Sequence, residues 1–231
     1  MSEQFNCSDM AFCFDKTFKF CHPELVSGSH IFQSYLLYSC RMNLPLIDNH
    51  SFKNQNYTVD KLPKAEYSDC TFTKCNFENS DLSNITFLEC EFIDCNFSNV
   101  TVMHTVFNDV TFNNCKLVGV QFQNCNAFLL AFRFTDCILN LSSFYQLKIN
   151  STKFTNCKMH SVDFTETEVK SASFSDCDLK GSIFDMTNLE NTDFFSAHDF
   201  SINPSTNQMK NAVFSKENCF GLLSSFNIRI K

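Results

Sequence analysis

The chain has 231 residues and a formal net charge of −7, which argues against a nucleic-acid-binding protein because affinity for phosphate depends on a basic surface. Its 29 Phe, 4 Gly and 4 Pro exclude the compositions of disordered and collagen-like chains. No apolar run approaches the length of a membrane span and no signal peptide is recognisable, so the sequence predicts a cytoplasmic protein without a membrane segment.

The first 41 residues do not follow the pattern that governs the rest of the chain. The segment from Cys21 to His30 reads as a loop and resembles the translated form of interspersed bacterial intergenic repeats. We therefore expect residues 1–41 to be unstructured or untranslated, with Met42 as a possible start. The alternative is a genuine N-terminal extension that packs over the first repeats.

Phenylalanine recurs every twenty residues through most of the chain, inside a finer recurrence of five. Neither the period of about 3.6 residues in a helix nor the two-residue period of a strand produces this spacing. Each five-residue unit is therefore predicted to be a short extended piece followed by a corner, and four units close a square. We expect the rings to form the core in two series, because the register slips by two residues between 127 and 134. The first series is Phe52, Phe72, Phe92, Phe112 and Phe132, and the second is Phe134, Phe154, Phe174, Phe194 and Phe214.

The position two residues before each large apolar residue follows a rule of its own, since most of these positions hold small, mildly apolar residues such as Cys, Ser, Thr, Val or Ala. Residues two apart in an extended strand point to the same side, so both positions are predicted to face inward. The Asn, Asp, Ser and Lys residues between them suit corners and solvent.

Units such as Cys70-Thr-Phe72-Thr-Lys and Cys177-Asp-Leu179-Lys-Gly resemble the pentapeptide-repeat family, whose pattern is a small residue, Asp or Asn, Leu or Phe, and two polar residues. The resemblance covers residues 50–214 and implies an all-β fold, a right-handed quadrilateral parallel β-helix. About seven to eight coils would form a rod on the order of 35 Å long. Such repeats bury their apolar faces only by stacking, so we expect one continuous solenoid.

Fourteen Cys in a chain of this size could indicate a disulfide scaffold or a metal site. Nine of them, however, fall in the small inward position, and Cys75, Cys95 and Cys115 are expected to stack with parallel side chains that neither bridge nor converge on a metal. His104 and His160 lie outside the inward positions without an evident carboxylate partner, so we expect them on the surface. The sequence predicts no catalytic residue, no cofactor and no metal site.

Residues 215–231 are predicted to form a C-terminal cap, which a solenoid needs to end its core. Ser215 is expected to cap a short helix through Leu223, and Phe226, Ile228 and Ile230 alternate as in an edge strand. The ending resembles the tail of the quinolone-resistance and microcin-immunity branch of the family, in which this element can join two rods. A homodimer and a capped monomer are both open at this point.

Acidic residues are concentrated in 65–136 and 159–199, whereas 137–158 has none. Resemblance to the topoisomerase-protecting branch implies a rod that imitates DNA and occupies the basic DNA-binding surface of DNA gyrase or topoisomerase IV. The alternatives are a scaffold for another protein partner and an acidic surface that only keeps the rod soluble. The larger loops of plasmid-borne members have no counterpart beyond the slip at 127–134, so drug protection does not follow from the resemblance. The candidate partner-binding residues are Glu78, Asp81, Glu89, Glu91, Asp94, Asp163, Glu166 and Glu168.

Overall fold

The computed structural model describes residues 44–226 and 228–229, and the extension predicted at 1–41 lies outside them. The described residues contain thirteen short strands and no α-helix. The strand β1 already begins at Leu46, a few residues before the predicted start at 50, because Ile47 pairs with Tyr67 on the next coil. The bounds are β1 Leu46–Asp48, β2 Ser51–Lys53, β3 Glu66–Ser68, β4 Thr71–Thr73, β5 Thr86–Leu88, β6 Glu91–Ile93, β7 Val106–Asn108, β8 Val110–Asn113, β9 Phe132–Thr135, β10 Lys153–Thr155, β11 Ser173–Ser175, β12 Asp193–Phe194 and β13 Val213–Phe214.

The strands form two sheets, of nine strands in the order β13-β12-β11-β10-β9-β8-β6-β4-β2 and of four strands in the order β1-β3-β5-β7. Every pairing is parallel and joins one coil to the next, as when Phe52 pairs with Phe72. Nine strands in one sheet correspond to about eight turns. The fold class predicted from the sequence, a quadrilateral parallel β-helix, is therefore confirmed.

We number the four faces of the solenoid in chain order. Face 1 is the nine-stranded sheet, and face 4 is the four-stranded sheet together with the later bridge between Lys148 and Glu168. Faces 2 and 3 are joined by isolated bridges, such as Asn56 to Asn76 on face 2 and Asp81 to Thr101 on face 3. Faces 1 and 3 are opposite each other, as are faces 2 and 4.

The inward side of face 1 carries one unbroken stack of nine phenylalanine rings. Neighbouring ring centroids are 4.6 to 5.2 Å apart, and the planes are inclined by 2° to 17°. Only the terminal rings of the stack are partly exposed. The stack consists of Phe52, Phe72, Phe92, Phe112, Phe134, Phe154, Phe174, Phe194 and Phe214.

The structure corrects the predicted division of these rings into two series. Phe134 pairs directly with Phe112, whereas Phe132 pairs with Val110 and occupies the small inward position beside it. The two surplus residues leave the coil between Asn126 and Ala131, where Phe128 and Leu129 are exposed. A loop that contains the two extra residues costs less free energy than a shift in strand register, because a shift would move every later ring out of the closely packed stack.

Small inward side chains satisfy backbone carbonyls of the preceding coil. The Cys95 thiol donates to the carbonyl oxygen of Phe72 over 3.3 Å, and the Thr105 hydroxyl donates to that of Leu82 over 2.9 Å. The nine cysteines in this position are buried and free. Burial raises the pKa of the Cys90 and Cys125 thiols to about 12. Hydrogen bonding and packing therefore account for these cysteines without disulfides.

Corners are built mainly from polar residues with left-handed backbone. Asn54, Asp94 and Asn114, for example, have φ between 51° and 56°, a region that Asn and Asp tolerate better than most residues. Gly119 and Gly181 take the same conformation at two corners after face 2. Regular placement of Asn and Asp thus explains how the chain turns so often with four glycines.

The C-terminal cap differs from the prediction. The Ser215 hydroxyl accepts a hydrogen bond from the backbone N–H of Asn218 over 3.2 Å, but the segment forms 3-10 turns at Cys219–Leu222 and Ser224–Phe226. The predicted edge strand is absent from the described part of this segment, because the N–H of Phe226 is bonded to the carbonyl of Leu223 within the turn. Across the described residues, no helix has the length and apolar character needed to cross a membrane.

Candidate interaction surface

Five carboxylates cluster around face 1 in the N-terminal half of the solenoid. Asp69, Glu89 and Asp109 occupy successive corners between faces 4 and 1, Asp94 occupies a corner between faces 1 and 2, and Glu91 lies on face 1 itself. We call these five residues the face 1 patch. The twenty-residue coil brings them together, because it returns the chain to the same corner once per turn.

Neutral amides orient several carboxylates of the face 1 patch. Asn113 Nδ2 donates to Glu91 Oε1 over 2.8 Å, and Asn114 Nδ2 donates to Asp94 Oδ1 over 2.6 Å. Asp109 instead forms an ion pair with Arg133, whose Nη2 lies 2.7 Å from Oδ1. Most of the negative charge therefore remains available to a partner, since an amide fixes a carboxylate without neutralising it.

At the corner between faces 1 and 2, aspartates alternate from coil to coil with neutral polar residues. Asn156 Nδ2 donates to Asp136 Oδ1 over 2.5 Å, and the backbone N–H of Asp176 donates to the Ser196 hydroxyl over 2.8 Å. Acids on every second coil are separated by about two strand spacings, roughly 10 Å, which limits the repulsion between like charges.

The eight predicted partner-binding residues are distributed over all four faces. Only Glu89, Glu91 and Asp94 belong to the face 1 patch. Glu78 lies on face 2, and Glu168 lies on face 4. The remaining residues, Asp81, Asp163 and Glu166, lie on face 3 or its corner. The expectation that all eight face one partner is thus corrected, because each five-residue unit advances the chain to the next face.

A second acidic group, the face 3 patch, consists of Asp163, Glu166 and Asp185 in the C-terminal half. Gln146 Nε2 donates to Glu166 Oε2 over 2.7 Å, and Asp163 Oδ1 accepts the backbone N–H of Thr165 over 2.9 Å. Among the described residues none of the three carboxylates has an ion-pair partner. The face 3 patch lies opposite face 1, in the other half of the solenoid.

Face 4 is locally neutral in the C-terminal half. Lys148 Nζ lies 3.0 Å from Glu168 Oε1, and Lys170 Nζ lies 3.4 Å from Glu190 Oε2. The hydrogen bond from Lys148 holds the pKa of Glu168 below its usual value. Glu168 is therefore a weaker candidate for contact with a basic partner than the residues of the face 1 patch.

The expectation that His160 lacks a carboxylate partner is wrong. Its Nε2 lies 2.5 Å from Asp178 Oδ2, one coil away on face 2. The backbone of Asp178 pairs in turn with that of His198 on the following coil, and His198 Nδ1 lies 2.9 Å from Asp199 Oδ2. The sequence analysis missed this group, although the twenty-residue spacing of Asp178 and His198 signals their proximity. His104 is exposed, as expected.

A shallow groove of about 410 Å³ on face 3 includes Gln121, Gln123, Tyr145 and Asp163 in its lining. Asp163 is the single carboxylate that lines it, and neither histidine nor cysteine contributes. A catalytic carboxylate must be within hydrogen-bond reach of a nucleophile or of the proton that it transfers, whereas Asp163 Oδ1 accepts the backbone N–H of Thr165. This groove therefore offers no support for a catalytic site.

Comparison with known proteins supports the architecture. The sequence matches the profile of the pentapeptide repeat region at residues 65–133 and 119–194. The fold is similar to a trypsin-treated variant of QnrB1, a plasmid-mediated fluoroquinolone resistance protein, with a TM-score of 0.53 and 12% identity over 83% of this chain and 93% of that chain. A second trypsin-treated variant of QnrB1 gives a TM-score of 0.54 and 12% identity over 80% and 99% of the two chains.

Identity at this level shows a shared fold and no more. No curated protein sequence matches the chain. The family profile nevertheless spans more than half of the sequence. The five-residue recurrence, the four-faced parallel solenoid and this match together show that the chain belongs to the pentapeptide-repeat family.

Proposed function

We propose that this chain is a non-catalytic protein that binds a basic groove of another protein through the face 1 patch. The observation that carries the proposal is the convergence of Asp69, Glu89, Glu91 and Asp94 around one flat face, fixed in part by neutral amides. Complementary charge accelerates encounter with a partner and disfavours wrong partners. A rod with this patch suits a cleft that normally receives a negatively charged polymer.

The partner that we propose is a bacterial type II topoisomerase, DNA gyrase or topoisomerase IV, in the cytoplasm. Its DNA-binding surface must be basic, because affinity for duplex DNA comes largely from phosphate contacts. The similarity in fold to QnrB1, described as a fluoroquinolone resistance protein, supports this choice among basic clefts. The chain would act by occupying the cleft in place of DNA.

Gyrase supercoiling assays with the purified chain across a salt series test the proposal. Inhibition is expected at low salt and should weaken steeply as salt rises, because exposed charge pairs are screened. Direct binding measurements on the same samples separate occupation of the cleft from indirect inhibition.

Matched variants sharpen this test. Neutralising Glu89→Gln, Glu91→Gln and Asp94→Asn together should weaken binding at low salt by about tenfold or more, since these charges contribute to association. Neutralising Asp163→Asn, Glu166→Gln and Asp185→Asn on the opposite face removes the same charge and should weaken binding by less than about threefold. Equal losses in the two variants would show that total charge, rather than the face 1 patch, governs binding.

The alternative function is a scaffold that uses flat faces rather than charge. It is favoured by the local neutrality of face 4, where Lys148 and Lys170 pair with Glu168 and Glu190. Two results would support the scaffold. Its affinity for a partner would not change with salt, and micromolar concentrations of the chain would have no effect on gyrase supercoiling.

We also propose that the C-terminal segment joins two rods into a homodimer. Phe195, Val213, Phe220 and Phe226 are each about half exposed or more at the C-terminal end of the solenoid. Burial of these side chains against a second copy would remove apolar surface from water. Sedimentation equilibrium of the chain and of Phe226→Ser tests this proposal. The parent chain should be a dimer, and the variant should shift towards monomer. A monomeric parent chain would show that the C-terminal segment only caps the solenoid.

A further inference from the structure

Face 2 of the last coils carries two histidines and two aspartates that the interaction surface does not use. His160 Nε2 lies 2.5 Å from Asp178 Oδ2, and His198 Nδ1 lies 2.9 Å from Asp199 Oδ2. One donor atom from each of Asp178, His198 and Asp199 lies within 4.8 Å of the others. The group therefore has nitrogen and oxygen donors gathered from two adjacent coils.

Asp199 reaches this group because the repeat breaks at this point. Twenty residues after the buried Leu179, the pattern assigns position 199 to the core. Asp199 instead has φ of 56° and is exposed, while Phe200 fills the core with its ring 6.0 Å from Phe194 and 5.4 Å from Phe214. A one-residue displacement thus turns a carboxylate outward beside His198.

We propose that Asp178, His198 and Asp199 bind a divalent transition-metal ion of the zinc class, with His160 orienting Asp178 from outside the coordination sphere. Zinc bonds to imidazole nitrogen and carboxylate oxygen are about 2.0 to 2.2 Å long, so two ligand atoms in a tetrahedral site are about 3.3 to 3.6 Å apart. The donor atoms of Asp178, His198 and Asp199 must therefore approach one another by up to about 1.5 Å, which rotation of these partly exposed side chains can supply.

The choice of ion follows from the donor set. Mixed imidazole and carboxylate ligands suit zinc, copper, nickel and iron, whereas calcium and magnesium prefer oxygen alone. Two carboxylates also balance the charge of a divalent ion. Lys158 and Lys180 flank Asp178 on the same face, but both are exposed and neither forms an ion pair with it among the described residues.

His160 has the arrangement of an outer partner in a metal site. Its backbone N–H donates to Asn140 Oδ1 over 2.9 Å, and its ring contacts the carboxylate of Asp178. Hydrogen bonds of this kind hold a ligand in the orientation that binding requires, and their loss typically weakens metal affinity about 10- to 100-fold. The ion would join the coil at Asp178 to the coil at His198 and Asp199.

Calorimetric titration of the untagged full chain with zinc chloride tests the site, after accessible thiols such as Cys219 have been blocked by alkylation. The chain should bind one ion, and His198→Gln and Asp199→Asn should each weaken binding at least about tenfold. His160→Ala should weaken it by about 10- to 100-fold. His104→Ala is the matched control, because His104 is an exposed histidine outside the group, and it should bind as the parent chain does.

Spectra of the cobalt-loaded parent chain distinguish thiolate ligands from imidazole and carboxylate ligands without any variant. Ligand-field bands without intense sulfur-to-metal charge transfer are expected from imidazole and carboxylate donors. Saturating zinc should also raise the melting temperature of the parent chain and of His104→Ala, but not that of His198→Gln. The proposal is overturned if the chain binds no zinc, if His104→Ala binds as weakly as His198→Gln, or if thiolate bands dominate the spectrum.

Discussion

Phe112 and Phe134 stack with ring centroids 5.2 Å apart and planes inclined by 7°, although two more residues separate them than separate the other neighbouring rings of face 1. The loop between Asn126 and Ala131 contains the surplus, so the ladder of rings is continuous from the first strand of face 1 to the last. This continuity makes each interior ring dependent on two neighbours.

Truncation of an interior ring should therefore be strongly destabilising. Phe174 is fully buried and lies 4.9 Å from Phe154 and 4.8 Å from Phe194. For Phe174→Ala and for Phe154→Ala, we expect a loss of about 3 to 5 kcal/mol in the free energy of unfolding, because stacked neighbours cannot collapse into the gap. Guanidinium denaturation measures the loss. Lys153→Ala, at an exposed position, should change stability by less than about 0.5 kcal/mol, and equal effects would refute the inward assignment.

Phe132 should contribute to stability although its ring is not part of the stack on face 1. Its ring lies 5.2 Å from Phe122 and 5.5 Å from Phe107, and it is almost fully buried. Phe132→Ala is expected to lower the free energy of unfolding by about 3 kcal/mol or more. Phe128→Ala, at the exposed tip of the same loop, should be nearly neutral by the same denaturation measurement. A mild effect at Phe132 would indicate that the loop, not the ring, closes this coil.

Met186→Asn should stabilise the protein. Met186 has φ of 51° at an exposed corner, a conformation that costs an ordinary side chain about 1 to 2 kcal/mol and that Asn adopts more readily. We expect a gain of about 0.5 to 1 kcal/mol, seen as a rise in melting temperature. The control is Ile183→Asn, an exposed apolar residue without positive φ, which should give no such gain. Equal gains in the two variants would show that replacing an exposed apolar side chain by a polar one, rather than relieving the positive φ, causes the stabilisation.

Stability should fall at alkaline pH. Burial raises the pKa of Cys90 and Cys125 from 9.0 to about 12, so between about pH 9 and pH 12 the unfolded chain releases protons that the folded chain retains. The contribution of these thiols is complete below pH 9 and is lost as pH approaches 12. Denaturation midpoints at a series of pH values measure the decline. Cys90→Val should decline less steeply, and an unchanged slope would exclude a contribution from Cys90.

The period and the inward positions could be predicted from the sequence because both are local properties of each five-residue unit. Cys70 and Phe72, for example, are two residues apart, so an extended backbone directs both side chains inward whatever the rest of the chain does. Stacking at twenty-residue intervals then follows from closing four units into a coil. The fold class was therefore accessible without coordinates.

Contacts that depend on packing between coils could not be predicted from the sequence. Phe132 and Phe134 are equivalent candidates in the sequence, and only packing against Phe112 and Val110 decides which ring continues the ladder. The acidic residues were predicted as one group, but the corners distribute them over four faces. Similarly, the cap forms 3-10 turns because hydrogen bonds within the segment replace those of a strand.

By itself, the sequence determined that large and small side chains alternate along the inside of a four-faced solenoid, because every five-residue unit adopts the same backbone geometry. The sequence also located the register slip at 127–134, but only the tertiary structure decided how the chain accommodates each interruption and which side chains it brings together. The side chain of Asp199 is exposed on the surface that carries His198 because Phe200, rather than Asp199, occupies the core, where its ring packs against Phe194 and Phe214. Such competition between side chains for one site is settled by packing and has no signature in local spacing.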